Sequence, residues 1–268
     1  IDFQHYRKKD LLHTTEVIYI NKLIYKQLKH MEEIYKYIES HAARPDAALD
    51  WVVKQTHIRT NHARMLSGMI QGQLLRMIVQ ISGARRILER GTFTGFSAIC
   101  LASGLPEDGH LDTLELNDEL EDLILEGFER AGLQKKISLL IGACTETLKG
   151  LRMEMGLTEE PCGDRQSEIE DDGCEVGADT SRLYDIVYMD ANKREYCEYY
   201  DLVFDMVRPG GLILADNVLW DGKVCQDPLP QDKQTLSIAR FNDMVSADSR
   251  VETVILPLRD GLNIIRKK

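Results

Sequence analysis

Two apolar runs in the second half of the chain each end in an acid. DIVYMDANK reaches Asp190, and GGLILADNVLW reaches Asp216, followed at once by Asn217. Runs of this kind read as buried parallel strands, and ligands of open α/β sheets bind just beyond the carboxyl ends of such strands. Two strands ending this way put Asp190, Asp216 and Asn217 at one crevice. Two carboxylates and an amide are all oxygen ligands, the set a hard divalent cation prefers. Taken singly, each acid reads as well as a helix cap or a turn former. The adjacency of Asp216 and Asn217 and the spacing of Lys193 from Asp190 favour the ligand reading. All seven histidines lie at or before His110, so a His-rich zinc site is disfavoured and a Mg²⁺- or Ca²⁺-like site favoured.

A second constellation lies upstream. ILERGTFTGFSA places Glu89, Gly91 and Gly95 between a strand and a helix. Glycines let the backbone turn tightly and approach a ligand, and the following helix offers free N–H groups. The loop reads G-x-x-x-G, lacks the third glycine of a dinucleotide fingerprint, and lacks the Lys and Ser/Thr of a phosphate-binding loop. Alone it is as consistent with a tight turn. Its context adds Glu115 at the end of the next strand, in LDTLELND, where an acid can accept hydrogen bonds from both ribose hydroxyls. Together these features indicate a nucleoside-containing cofactor. A ribose without a phosphate suits the loop better than a dinucleotide. S-adenosylmethionine meets that description, and Glu89 is placed to help hold its ammonium group.

The elements that must carry these residues follow from periodicity. Residues 1–30 are polar, tyrosine-rich and basic, an extension of unassigned role. MEEIYKYIESHA, from Met31, has a helical pattern. A second helix follows Pro45 with Asp46 as its cap, and a third spans Gln71–Ile81 with Leu74, Leu75, Ile78 and Val79 on one face. From Arg85 onward strand and helix alternate: strands at Arg86–Glu89, His110–Leu116, Lys136–Ile141, Tyr184–Met189 and Gly211–Ala215, with helices at Phe96–Ser103, Asp118–Ala131, up to Lys149, Arg194–Val207 and Asp232–Val245. Val251–Pro257 and Gly261–Ile265 close the chain as a strand pair. The rhythm means a doubly wound α/β sheet. Residues 154–182 break it. They are rich in Asp and Glu and read as a solvated acidic insertion.

Composition sets outer bounds. In 268 residues, 43% hydrophobic and 29% charged, the chain has the make-up of a globular domain. A net charge of -11 argues against nucleic acid or an anionic membrane surface as partner. No run is long enough to span a bilayer, and the first residues show no signal-peptide pattern. The six scattered cysteines read as reduced thiols of a cytoplasmic protein.

ERGTFTGFSA, LELND, YMDANKREY and LADNVLWDG, in this order and spacing, resemble the cation-dependent O-methyltransferases of the catechol and caffeoyl-coenzyme A type, with a look closest to bacterial members. RMLSGMIQGQLL is similar to the family's segment before the first strand, and LPLRDGLNIIRK to its closing hairpin. The resemblance covers roughly Met31 to the C-terminus. It implies a mostly parallel seven-stranded Rossmann-like methyltransferase sheet with N-terminal helices and an antiparallel C-terminal strand pair, in a single domain over residues 31–268.

The resemblance also implies roles. Ser67, Glu89, Gly91, Thr92, Ser97, Glu115 and Cys144 match cofactor-contacting positions, for S-adenosylmethionine. Asp190, Asp216 and Asn217 match ligands of a divalent cation, Mg²⁺ with Ca²⁺ or Mn²⁺ as alternatives. Lys193 matches a lysine near the reacting hydroxyl and, with Asp190, forms the catalytic pair. There it is expected to take the acceptor's proton once the cation's charge lowers its pKa. Asp221 matches a substrate-contacting position. A small aromatic acceptor with adjacent hydroxyls and a homodimer complete what the resemblance implies. Arg90 departs from the pattern, since relatives carry an apolar residue there. A guanidinium on a core strand needs a carboxylate partner or a path to solvent. Two other readings stand beside this one: a nucleotide-dependent oxidoreductase on a similar sheet, and a non-catalytic descendant that only binds cofactor or a protein.

Overall fold

The computed structural model describes residues 26, 29–30, 32–43, 47–158 and 182–268. The chain divides into two compact units, residues 1–44 and Pro45–Lys268. In the first, residues 32–41 are helical, as the MEEIYKYIESHA pattern predicts. An exposed Lys36–Glu32 pair and a stacked Tyr37–His41 pair lie on that helix. Asp46, the expected cap of the second helix, and most of the acidic insertion (159–181) lie outside the described residues.

The second unit is built on seven strands: β1 (Arg86–Arg90), β2 (His110–Glu115), β3 (Ile137–Ile141), β4 (Tyr184–Met189), β5 (Val207–Asp216), β6 (Val251–Leu256) and β7 (Leu262–Lys267). Their order is β3-β2-β1-β4-β5-β7-β6. Strands β1 to β5 pair in parallel, and β7 runs antiparallel between β5 and β6. The helices are α1 (Ala47–Arg59), α2 (Met69–Ser82), α3 (Phe96–Ala102), α4 (Glu121–Arg130), α5 (Cys144–Glu154), α6 (Tyr196–Phe204) and α7 (Lys233–Ala247).

Strand order reverses between β1 and β4, and the crevice of a doubly wound sheet opens at that switch, outside the carboxyl ends. Asp190 follows β4 directly, and Asp216 is the last residue of β5.

Successive residues of a strand face opposite sides, so the sheet has two cores. Ile87, Ile186, Tyr188 and Leu214 pack with Leu75, Phe96, Ile99 and Phe128, the side of α1 to α4. Leu88, Val187, Met189 and Ile213 pack with Tyr196, Tyr199, Val203 and Phe241, the side of α5 to α7. Glu89 therefore leans toward the first layer and Arg90 toward the second. Helix α7 begins where Asp232 accepts from the Thr235 amide at 3.0 Å and from its hydroxyl at 2.7 Å, an N-cap.

Several boundaries differ from the periodicity. Strand β5 begins at Val207 rather than Gly211, through a register shift against β4. Helix α5 runs on past Lys149 to Glu154. The segment expected to open α6 is a short 3₁₀ turn, Lys193–Glu195, started by Asn192 accepting from the Arg194 amide.

Candidate active site

The glycine loop and the first strand-ending acid are locked together by backbone. The Asp190 amide donates to the Arg90 carbonyl at 2.9 Å. Gly91, at φ 101, lies so close that a Cβ there would run into the Asp190 carbonyl. Only glycine combines that dihedral with that approach. The Gly91 and Thr92 amides both reach the Leu114 carbonyl, at 3.1 and 3.2 Å, tying the loop to β2 beside Glu115.

Glu89 is fully buried, and a buried carboxylate is costly unless satisfied. Its Oε2 accepts from Thr113 at 2.6 Å, and the Thr92 hydroxyl lies 2.6 Å from that of Thr113. Its Oε1 meets no donor among the described residues. Burial pushes the Glu89 pKa up to about 7, against the pull of the Ser97 and Thr113 hydroxyls and with the Asp190 and Glu115 charges adding to it. Ser97, in the first turn of α3, approaches this carboxyl without completing a hydrogen bond within 3.5 Å. Glu115 is partly exposed. Its Oε2 accepts from the Phe93 amide at 2.7 Å, and its Oε1 from the Leu116 and Asn117 amides at 3.0 and 2.9 Å. These bonds fix the rim of the loop.

At the second acid, Asp216 is 2% exposed. Its Oδ2 accepts from Gln71 Nε2 and, at 2.8 Å, from the Tyr188 hydroxyl; its Oδ1 accepts from the Asn217 amide at 2.8 Å. Burial, with the Asp190 charge adding to it, lifts the Asp216 pKa to about 6. Lys193 Nζ donates to Asp190 Oδ1 and to the Tyr196 hydroxyl, each at 2.7 Å. Tyr196 in turn lies 3.0 Å from the Met189 carbonyl and 2.9 Å from the Asp216 carbonyl, bridging the ends of β4 and β5. Asp190, Lys193 and Asp216 thus meet through one tyrosine. Burial pulls the Lys193 pKa down, but the Asp190 carboxylate and Tyr196 outweigh it and the net shift is upward. Lys193 is thus tied to Asp190 by both charge and hydrogen bond.

The other candidate residues lie in the loop after β5, before α2 and at the start of α5. Asn217 at φ 58, Trp220 at φ 49 and Asp221 at φ 53 hold left-handed backbone, uncommon outside glycine and frequent in strained functional loops. Asp221 is exposed, with its amide donating to Asp260 Oδ1. Ser67 is buried before α2, in contact with the Tyr188 hydroxyl. Cys144 opens α5 beside Arg90; burial raises its thiol pKa while the guanidinium opposes the rise.

Arg90 has the carboxylate its position demands. Its Nη2 lies 3.4 Å from Glu195 Oε2, and the guanidinium lies over the Tyr199 ring. Among the described residues its Nε and Nη1 meet no hydrogen-bond partner, and burial lowers its pKa to about 10. Three other residues at this centre, Gln71, Tyr188 and Tyr196, stand within the quoted motifs, but the sequence assigns them no role. Tyr188 sits inside an apolar run, and Gln71 reaches Asp216 across 145 positions of chain.

A family model described as O-methyltransferase matches residues 39–160 and 172–268. Caffeoyl-CoA O-methyltransferase 2 of Zea mays is 29% identical over 253 residues, 91% of this chain and 86% of the maize protein. Caffeoyl-CoA O-methyltransferase 2 of Petunia hybrida is 31% identical over 208 residues, 76% of each chain. Among solved structures, the O-methyltransferase from Bacillus cereus in complex with SAH has a TM-score of 0.71 at 26% identity, covering 88% of this chain and 97% of that one. The O-methyltransferase TomG from Streptomyces achromogenes, involved in tomaymycin synthesis and solved with SAM, has a TM-score of 0.71 at 26% identity, over 88% and 96%. The oxidoreductase reading falls with these matches. The sheet order, the glycine loop joined to Asp190 and the model that spans nearly all of the second unit agree with the motifs: the chain belongs to the O-methyltransferase family.

Proposed function

We propose that this enzyme transfers a methyl group from S-adenosylmethionine to one hydroxyl of a catechol-like or caffeoyl-like aromatic, with a divalent cation, Mg²⁺ first, held by Asp190, Asp216 and Asn217. The observation that carries the reading is the meeting of Asp190, Lys193 and Asp216 through Tyr196, next to the loop that Gly91 presses against Asp190. A small-molecule aromatic partner, a homodimer and a cytoplasmic location belong to the same proposal, with neither nucleic acid nor a membrane as partner. No helix among the described residues is long and apolar enough to cross a membrane.

The residues fit both groups. Glu89 carries a buried oxygen that meets no donor among the described residues, which suits a cofactor bearing an ammonium. The amides that hold Glu115 occupy Oε1 twice and Oε2 once, so Oε2 keeps a lone pair for a ribose hydroxyl. The Asp190 charge acts on Asp216, and a cation held by the two would relieve that repulsion. S-adenosylmethionine supplies an electrophilic methyl on a sulfonium. A divalent cation supplies Lewis acidity that favours the phenolate over a phenol whose pKa is near ~10.

The chain's own part is positioning and charge. Gly91, Thr92 and Ser97 shape the cofactor floor, Glu89 and Glu115 fix its two polar ends, and Ser67 and Cys144 line its sides. Lys193 presents an ammonium where negative charge develops on the acceptor oxygen, which stabilises it. It would reach that state by taking the acceptor's proton once a bound cation's charge lowers its pKa, leaving the phenolate oxygen to attack the methyl. Asp221 meets the acceptor from the loop after Asn217. Holding methyl carbon and oxygen at about 3 Å accounts for much of the acceleration.

Ligand-dependent melting tests the reading. A ligand of the native state raises the melting temperature, so S-adenosylhomocysteine is expected to raise it and NAD to leave it unchanged. A shift with NAD alone overturns the cofactor assignment.

A further inference from the structure

Asp216 is held from behind in a way that limits what it can offer. A carboxylate oxygen has two lone pairs in its plane. On Oδ2 both are taken, one by Gln71 Nε2 and one by the Tyr188 hydroxyl at 2.8 Å. Oδ1 has one donor, the Asn217 amide at 2.8 Å, and keeps one lone pair. Gln71 Nε2 also lies 3.2 Å from the Tyr188 oxygen, so the two donors brace each other. Both side chains are buried, Gln71 1% exposed and Tyr188 fully enclosed. Neither reaches the solvent side of the crevice. The amide must present its nitrogen to Asp216, because its oxygen there would repel the carboxylate.

The clamp is assembled from separate parts of the fold. Gln71 comes from the first turns of α2, Tyr188 from the α2-facing side of β4, and Asp216 from the end of β5. It therefore fixes the distance between the helix layer and the strand end, as well as the carboxylate's rotation.

We propose that Gln71 and Tyr188 are positioning residues that pin Asp216 through Oδ2, so that Asp216 offers a divalent cation one oxygen, Oδ1, in a fixed direction. This rests on the cation reading above. Partners that orient a ligating carboxylate are worth about 10–100-fold in metal affinity when removed. Tyr188→Phe keeps the ring and deletes only the hydroxyl. It frees a lone pair on Oδ2, so the carboxylate can turn or bind through both oxygens.

The test is Mn²⁺ binding to the full chain with no acceptor present, by calorimetry and by the electron paramagnetic resonance spectrum of the bound ion. Wild type, Tyr188→Phe, Gln71→Met and Asp216→Ala are compared, with the S-adenosylhomocysteine melting shift reporting that each is folded. The expected result is binding in wild type, loss in Asp216→Ala, and about tenfold weaker binding with an altered spectrum in both Tyr188→Phe and Gln71→Met. Wild-type affinity and an unchanged spectrum in both clamp variants, with Asp216→Ala still abolishing binding, overturn the positioning role alone. Mn²⁺ binding that Asp216→Ala does not affect, or none in wild type, overturns the cation reading and this inference with it. If Tyr188→Phe fails the melting control, Gln71→Met decides by the same criteria.

Discussion

Replacing Glu89 with Gln separates the fold's interest from the cofactor's. In the ligand-free protein burial lifts Glu89 from 4.5 to about 7. The folded state therefore holds a proton that the unfolded chain releases near pH 4.5. Stability from this group is fully present below that pH and is lost as pH rises through about 7. The shift of about 2.5 units, at ~1.36 kcal/mol each, sets the loss at roughly 3 kcal/mol by pH 8.5, as an order of magnitude. Glutamine has nearly the same shape, can accept from Thr113 and does not titrate. The ligand-free variant should match wild type near pH 4 and exceed it by up to ~3 kcal/mol at pH 8.5, several degrees in melting temperature for a chain of this size. Thermal melts of both proteins across that range give the answer directly. Cofactor binding should move the opposite way. A cationic ligand favours the carboxylate, so wild type should release a proton on binding S-adenosylmethionine near pH 6.5, and the variant should bind weakly with no release. Parallel melting curves across the pH range would refute the buried-carboxylate reasoning.

Other perturbations follow from the same contacts. Gly91→Ala should displace the Asp190 carbonyl, lowering the melting temperature and abolishing the S-adenosylhomocysteine shift together, since one clash strikes loop and strand end. Glu195→Gln should destabilise more than Arg90→Met: the first leaves a buried guanidinium short of its charge partner, and the second removes the need for one. Chemical denaturation ranks the two. Tyr196→Phe should cost about 1–3 kcal/mol of stability, because two strand-end carbonyls lose their shared donor. It should also lower kcat more than it raises KM, since Lys193 is left with Asp190 alone.

What the sequence disclosed and what it hid divide along chain separation. The strands and the acids at their ends are written in consecutive residues. An apolar run of strand length followed by Asp, or a strand followed by glycines, is a local signal. Asp190, Asp216, Glu89, Gly91 and Glu115 were legible for that reason. Their partners were not. Glu195 is 105 positions from Arg90, Tyr188 28 and Gln71 145 from Asp216, and nothing in a tyrosine within an apolar run announces that its hydroxyl will find a carboxylate. The start of β5 was hidden by Arg208-Pro209-Gly210, which reads as a turn, because the pairing with β4 shifts register there. The contacts of Tyr196 with the Met189 and Asp216 carbonyls were hidden too, since they join the ends of two strands.

The central claim is that Asp190, Asp216 and Asn217 hold a cation on which methyl transfer depends. Transfer of labelled methyl from S-adenosylmethionine to a catechol, in enzyme stripped with EDTA and then titrated with Mg²⁺, tests it most directly. The account predicts no transfer after stripping, recovery that saturates with Mg²⁺, and no recovery in Asp216→Ala. Transfer that persists in EDTA and in Asp216→Ala would contradict it.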